Sequence, residues 1–225
     1  MTMPIPTDVE LVGYAAETYT RSDPYFEDAN SAIKVFLTKR ADGLNIIAIE
    51  GTHDPLGWAL DFIGAEVEDQ QGMNHATLGW VHAGFYASAV VALTRCALVA
   101  AQGPYAICGH SLGAALALLI GSLLSQDDFN GRSLAPVKIG AFAPPRVGDA
   151  AFVKVATSMP FCAYRYNVDP VPQVPLTITP AFPYMPVSMT ALPGPSIPLF
   201  DIKRRVECHH IENYVVGVKA SQALP

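Results

Sequence analysis

Charge is what this sequence has least of. Only 15% of its 225 residues are charged and 51% are apolar, whereas an average soluble domain carries roughly 25% charged residues. So much apolar side chain excludes a disordered polypeptide and implies a large buried core. Basic runs are missing too: the 14 Lys and Arg are scattered among 20 acids for a net charge of -6. With no basic stripe to meet a phosphate backbone, nucleic acid is not an expected partner. The first ten residues show no basic stretch leading into an apolar run and a small-residue cleavage site. A cytoplasmic compartment is therefore favoured, with a processed, secreted form kept open. The longest uncharged apolar run, residues 114–124, falls short of the about 20 residues that a membrane helix needs. It is read as a buried core helix of a soluble protein.

The four cysteines, Cys96, Cys108, Cys162 and Cys208, have no C-x-x-C spacing and sit mostly in apolar segments. They are expected to be structural thiols rather than zinc ligands or disulfide partners, so neither a metal nor another cofactor is expected. No linker divides the chain, and residues 1–225 are read as one domain.

Local patterns give the order of elements. Val9, Val12, Ala15, Ala16 and Tyr19 recur at helical spacing after Thr7 and Asp8, either of which suits a helix cap. Residues 33–38 and 44–49 are β-branched runs joined through Asp42-Gly43, predicting two antiparallel strands at one sheet edge. After a long loop, residues 84–101 read as a helix, 105–108 as a short buried strand and 111–124 as a second helix. The alternation continues with a strand at 137–142, a helix at 149–157, a strand at 162–167 and a last helix at 211–218. That is an α/β pattern with a mostly parallel sheet and an antiparallel edge. Residues 170–198 are rich in proline and predict irregular or edge structure.

One pentapeptide carries chemistry. Gly109-His110-Ser111-Leu112-Gly113 matches the G-x-S-x-G nucleophile elbow, with a predicted strand before it and an alanine- and leucine-rich helix after it. A serine hydroxyl needs a general base, and the elbow arrangement supplies an acid and then a histidine later in the chain. Asp127, Asp128, Asp149, Asp169 and Asp201 are the candidate acids. Asp169 is favoured because it closely follows a strand, where loops leave the carboxyl edge of a parallel sheet; Asp201 is second. His209 and His210 are the candidate bases. His53, His75, His82 and His110 precede Ser111 and are read as structural or pocket-lining. Oxyanion donors are expected from the Leu112 amide and from Thr52, which follows a strand directly.

These motifs together resemble the class 3 lipase family, the fungal-lipase-like branch of the α/β-hydrolases, over about residues 33–216. Gly51-Thr52 resembles the family's oxyanion strand end, Trp58 to Asp61 the segment after it, and Val81-His82-Ala83-Gly84-Phe85 its V-H-x-G-F helix entry. Gly109 to Gly113 resembles its G-H-S-L-G elbow. Phe142 to Asp149 is similar to its G-x-P-R-V-G-N block, and Asp169-Pro170-Val171-Pro172 to the D-x-V-P segment that carries the triad acid. His209-His210-Ile211-Glu212-Asn213-Tyr214 resembles the terminal H-x-I-x-x-Y pattern. The resemblance implies an α/β-hydrolase fold with helices on both sheet faces and a Ser111, Asp169, His209 triad with Thr52 and Leu112 as oxyanion donors. It implies hydrolysis of carboxylic or lipid esters, feruloyl esters or phospholipids being the alternative, with transient contact with a lipid interface. Two residues depart from the pattern: Glu50 stands where many relatives have Arg, and Asp149 replaces Asn. A cover over the acyl pocket is expected from residues 53–63, with Leu56, Trp58, Leu60 and Phe62, or from residues 170–198.

Overall fold

A capping box starts the chain's first helix. In the computed structural model, which describes residues 5–31, 33–53, 72–175, 184–198 and 200–223, α1 (Asp8–Glu17) opens with the Thr7 side chain accepting from the Glu10 amide and the Glu10 side chain accepting from the Thr7 amide. Two amides that a helix start would leave unbonded are thereby satisfied. Leu11, Val12 and Ala15 form the buried stripe.

A short strand, β1 (Phe26–Asp28), leads into β2 (Ile33–Lys39) and β3 (Asn45–Ile49), which pair antiparallel as the Asp-Gly turn predicts. The pair is not itself the edge, because β1 pairs antiparallel outside β2. Part of the expected long loop is a hairpin, β4 (Gly72–His75) with β5 (Gly79–His82). Its strands form a sheet of their own and lack the β-branched runs that would have announced them.

The alternating units follow: α2 (Ala83–Gln102), β6 (Tyr105–His110), α3 (Leu112–Leu124), a small hairpin of β7 (Asp128–Phe129) and β8 (Arg132–Ser133), then β9 (Lys138–Phe142), α4 (Ala150–Ala156) and β10 (Phe161–Tyr166). A single 3-10 turn (Val171–Gln173) precedes β11 (Thr190–Leu192), α5 (Ile202–Glu207) and α6 (Ile211–Gln222). Among the described residues the main sheet has seven strands in the order β1-β2-β3-β6-β9-β10-β11, with β3 onward parallel.

Side-chain alternation in the strands sends apolar groups to both faces. Ile47, Ile49, Ile107 and Ile139 meet α2, α3 and α4, whereas Ile46, Ala48, Ala106 and Cys108 meet α1 and α6. Lying between the sheet and α2, α3 is buried on every side from Gly113 to Leu124. Its apolar run is a core helix, as expected. By length and composition α2 is the one helix among the described residues that could cross a membrane, but here Phe85, Ala89, Ala92, Cys96, Val99 and Ala100 pack into the core.

Candidate active site

Strand register decides which loops meet. Ile49 at the end of β3 lies opposite Gly109 in β6, and His110 lies opposite Phe142 in β9, which in turn faces Tyr164 in β10. The chain therefore leaves β3, β6 and β10 at the same carboxyl edge, where Gly51-Thr52, Ser111 and Asp169 follow within a few residues.

Ser111 sits at the turn from β6 into α3 with φ 58° and ψ -126°, a conformation that costs a non-glycine residue free energy. Neighbouring contacts hold it there: its amide donates to the Phe142 carbonyl at 2.9 Å, and its carbonyl accepts from the Ala114 amide at 3.0 Å. The flanking glycines are required by close approach. A Cβ on Gly109 would run into the backbone of Gly113, and one on Gly113 into the carbonyl of Ile49. The hydroxyl is wholly buried, and Ser111 Oγ makes no hydrogen bond among the described residues.

Asp169 and His209 come together at the far side of the edge. His209 Nδ1 donates to Asp169 Oδ2 at 2.8 Å, and both side chains are fully buried. That bond puts the proton of a neutral imidazole on Nδ1 and leaves the lone pair on Nε2, which has no partner among the described residues. Asp169 Oδ1 accepts from the Val171 amide at 2.9 Å. Tyr214 Oη also donates to Asp169 Oδ2, at 2.5 Å, while accepting from the Tyr166 amide at 3.0 Å. Burial, and then the adjacent Asp169 charge, push the Tyr214 phenol well above its ordinary pKa, so it stays a donor. The competing candidates lie elsewhere: His210 is exposed at the start of α6, and Asp201 caps α5 by accepting from the Arg204 amide at 3.1 Å.

Beside this pair lies a second imidazole. His110 packs against His209 with ring centroids 4.6 Å apart and its Nδ1 is 2.8 Å from Tyr19 Oη. Burial, followed by the neighbouring His209, lowers the His110 pKa well below the usual histidine value, so it is uncharged. Thr52 shares a cavity of about 150 Å³ with Tyr19, His110 and His209. Leu112 opens α3, and its amide belongs to the first turn, whose N–H groups have no acceptor within the helix.

Residues 46–179 match the class 3 lipase family. The chain belongs to that family. Over 177 residues it is 30% identical to secreted mono- and diacylglycerol lipase A of Penicillium cyclopium, covering 75% of this chain and 54% of that protein. The protein of the same name from Penicillium camembertii matches to the same extent, so the chain spans about half the length of these curated relatives. Among solved structures, lipase II from Rhizopus niveus superposes with a TM-score of 0.65 at 21% identity, covering 84% of this chain and 80% of that one. A triacylglycerol lipase whose catalytic centre is formed by a serine protease triad gives a TM-score of 0.65 at 20% identity, covering 83% of this chain and 78% of the other. The expected α/β-hydrolase fold is therefore present.

Both departures from the class 3 lipase pattern have local explanations. The Glu50 carboxylate is buried, with Lys34 Nζ at 3.4 Å and His53 Nε2 at 3.1 Å. Its charge is met on the spot by a lysine. Asp149 caps α4, its Oδ1 accepting from the Ala151 and Phe152 amides at 3.0 Å each, and an acid serves there as well as an amide. His82 likewise caps α2, its Nδ1 accepting from the Phe85 amide at 3.3 Å. Asp127 and Asp128 are exposed, and the four cysteines are free thiols. The expected cover of residues 53–63 lies, apart from His53, outside the described residues, as do the Trp58 to Asp61 segment and residues 176–183 of the alternative cover. Sequence reasoning did not find Tyr19 or Tyr214 as site residues. Tyr19 reads as one more apolar helix position, and Tyr214 enters only as the end of the H-x-I-x-x-Y pattern.

Proposed function

We propose that this class 3 lipase hydrolyses carboxylic esters through an acyl-enzyme on Ser111. One observation carries the reading: a buried serine in a strained elbow shares the sheet edge with a histidine whose Nδ1 is committed to a buried carboxylate. Its Nε2 is then the base. His209 takes the Ser111 proton as Oγ bonds to the ester carbonyl carbon. The amides of Thr52 and Leu112 receive the oxyanion, each such donor contributing about 3 kcal/mol to the barrier reduction. Collapse breaks the bond to the alcohol oxygen, which leaves with the proton held on His209. Water then attacks the acyl carbon, His209 takes its proton, and the acid departs as Ser111 is restored. Throughout, Asp169 keeps the ring oriented and balances the imidazolium.

The names of the relatives, mono- and diacylglycerol lipases and a triacylglycerol lipase, support acylglycerols as the substrate class and a lipid interface as the place of encounter. The same Penicillium relatives are secreted, which favours a secreted form over the cytoplasmic compartment expected from the sequence.

The test is turnover of p-nitrophenyl butyrate together with labelling by a fluorophosphonate probe. Wild-type protein is expected to do both, Ser111→Ala neither, and His209→Ala to lose turnover where His210→Ala keeps it. Full activity in Ser111→Ala would remove the assignment, and equal losses at His209 and His210 would remove the choice of base.

A further inference from the structure

Beyond the cavity at His209, an apolar groove runs on between α1 and α6. It has a volume of about 480 Å³, and Gly13, Ala16, Tyr19, Ile211, Val215 and Val216 line it. Tyr19, Ile211 and Glu212 line both the groove and the 150 Å³ cavity that holds Thr52, His110 and His209. The two spaces adjoin across these three side chains. Val216 is 68% exposed although it is a large apolar residue, so the groove offers apolar surface to whatever enters it. Among the described residues the ionisable side chains lining it are Glu17, Glu212 and Tyr19, and no Lys or Arg lines it. A chain ending in a carboxylate or phosphate would meet like charge there. Gly13 is among its lining residues, and a Cβ added at this position meets nothing within 4 Å.

The position of the groove relative to the base indicates which half of a substrate it would take. During acylation the leaving alcohol oxygen has to lie within hydrogen-bond reach of His209 Nε2, because that atom returns the proton. Space that opens past His209 toward Ile211 is therefore on the alcohol side of the ester. Resting on the ester-hydrolase reading above, we propose that the α1–α6 groove is a subsite for an uncharged aliphatic chain attached to the alcohol oxygen of the substrate, so that esters of long-chain or acylated alcohols are preferred to esters of short ones.

Gly13→Leu adds a branched apolar side chain to the lining of the groove at a position where a Cβ meets nothing within 4 Å, and in a helix Leu is a better residue than Gly, so the variant is expected to fold. The readout is the ratio of kcat/KM for octyl butyrate to that for ethyl butyrate, which cancels any general loss. It should fall at least tenfold in Gly13→Leu, the effect of returning about two methylenes to water. An unchanged ratio overturns the proposal. So does a drop that appears instead in ethyl octanoate over ethyl butyrate, which would put the acyl chain in the groove. An independent arm titrates octan-1-ol into the wild-type protein and follows the Val215 and Val216 methyl resonances by NMR. Saturable shifts that vanish in Gly13→Leu are expected, and a flat titration overturns the groove whatever the esters show. Shifts in a protein that hydrolyses no ester would instead count against the ester-hydrolase reading and leave the groove standing.

Discussion

Tyr214 and His209 share one oxygen of Asp169: the phenol donates to Oδ2 at 2.5 Å and the imidazole Nδ1 donates to the same atom at 2.8 Å. With the Val171 amide on Oδ1, the carboxylate is held by three donors from the 3-10 turn, the turn between α5 and α6, and the body of α6. Hydrogen bonds to an ionised group are stronger than neutral ones, and all of these are buried. The carboxylate's position therefore depends on Tyr214 as much as on its own loop.

Tyr214→Phe removes one charge-assisted hydrogen bond and also leaves the Tyr166 amide without the acceptor that it has at 3.0 Å. A loss of about 1.5–3 kcal/mol in unfolding free energy is expected, the usual size for a hydrogen bond to a charged group. Urea unfolding of the two proteins measures it, and coincident midpoints with equal slopes would refute it. Ester turnover should fall with it while KM changes little, since the phenol acts on the orientation of Asp169 and not on substrate.

Strain at the elbow predicts an opposite effect on stability. With φ 58° and ψ -126° at Ser111, glycine is the residue that would sit there without penalty. Ser111→Gly should lose all ester turnover yet unfold at higher urea than wild type by about 1 kcal/mol, whereas Ser111→Ala loses turnover and keeps the strain. A glycine variant less stable than the alanine variant would show that the elbow holds no strain of this kind.

The strand-turn-helix around Ser111 and the candidate acid Asp169 were legible in the sequence because each is a local pattern: a strand, a Gly-x-Ser-x-Gly turn and a helix, then an aspartate just after another strand. The alternating helices and strands were legible for the same reason, and so was a cap at Thr7 or Asp8, of which the structure uses Thr7. What the sequence concealed depends on contacts between distant segments. By residue type His209 and His210 are equivalent, and only the resemblance to the H-x-I-x-x-Y pattern separates them; the turn before α6 buries His209 and leaves His210 exposed. Thr190–Leu192 becomes β11 because β10 offers it a parallel edge, which no pattern within its own proline-rich surroundings announces. α5 is six residues long, capped by Asp201, and too short for periodicity to identify. Tyr19 looks like part of an apolar stripe until the fold brings it to His110, 91 residues later.

Close packing makes Gly113 intolerant of the smallest side chain. Its Cβ would be driven into the Ile49 carbonyl and the Glu50 backbone, and strand backbone at the centre of a sheet has nowhere to move. Gly113→Ala should cost about 3 kcal/mol, the upper part of the range for overpacking a core, and should lower the expressed soluble yield. Gly13→Ala, in open space on α1, is the control and should be neutral or slightly stabilising. Equal urea midpoints for the two alanine variants would contradict this account of the elbow.

The acid limit of stability should depend on His82. Burial lowers this imidazole from its ordinary 6.5 to about 4, because a charge at the base of α2 would be stripped of water. The unfolded chain takes up a proton as the pH falls through about 6.5, and the folded chain does not until about 4. Over that window the unfolded state binds more protons, so folding stability is fully present above pH 6.5, declines toward pH 4 and levels off below it. The displacement is worth about 3 kcal/mol at most, and the depressed pKa of His110 acts in the same direction. His82→Asn keeps an acceptor for the Phe85 amide, as a good helix cap does, while removing the titrating ring. Urea unfolding at pH 7.5, 5.5 and 4.5 should show a shallower loss in His82→Asn than in wild type. The same slope in both proteins would mean that His82 takes up its proton in the folded state without penalty.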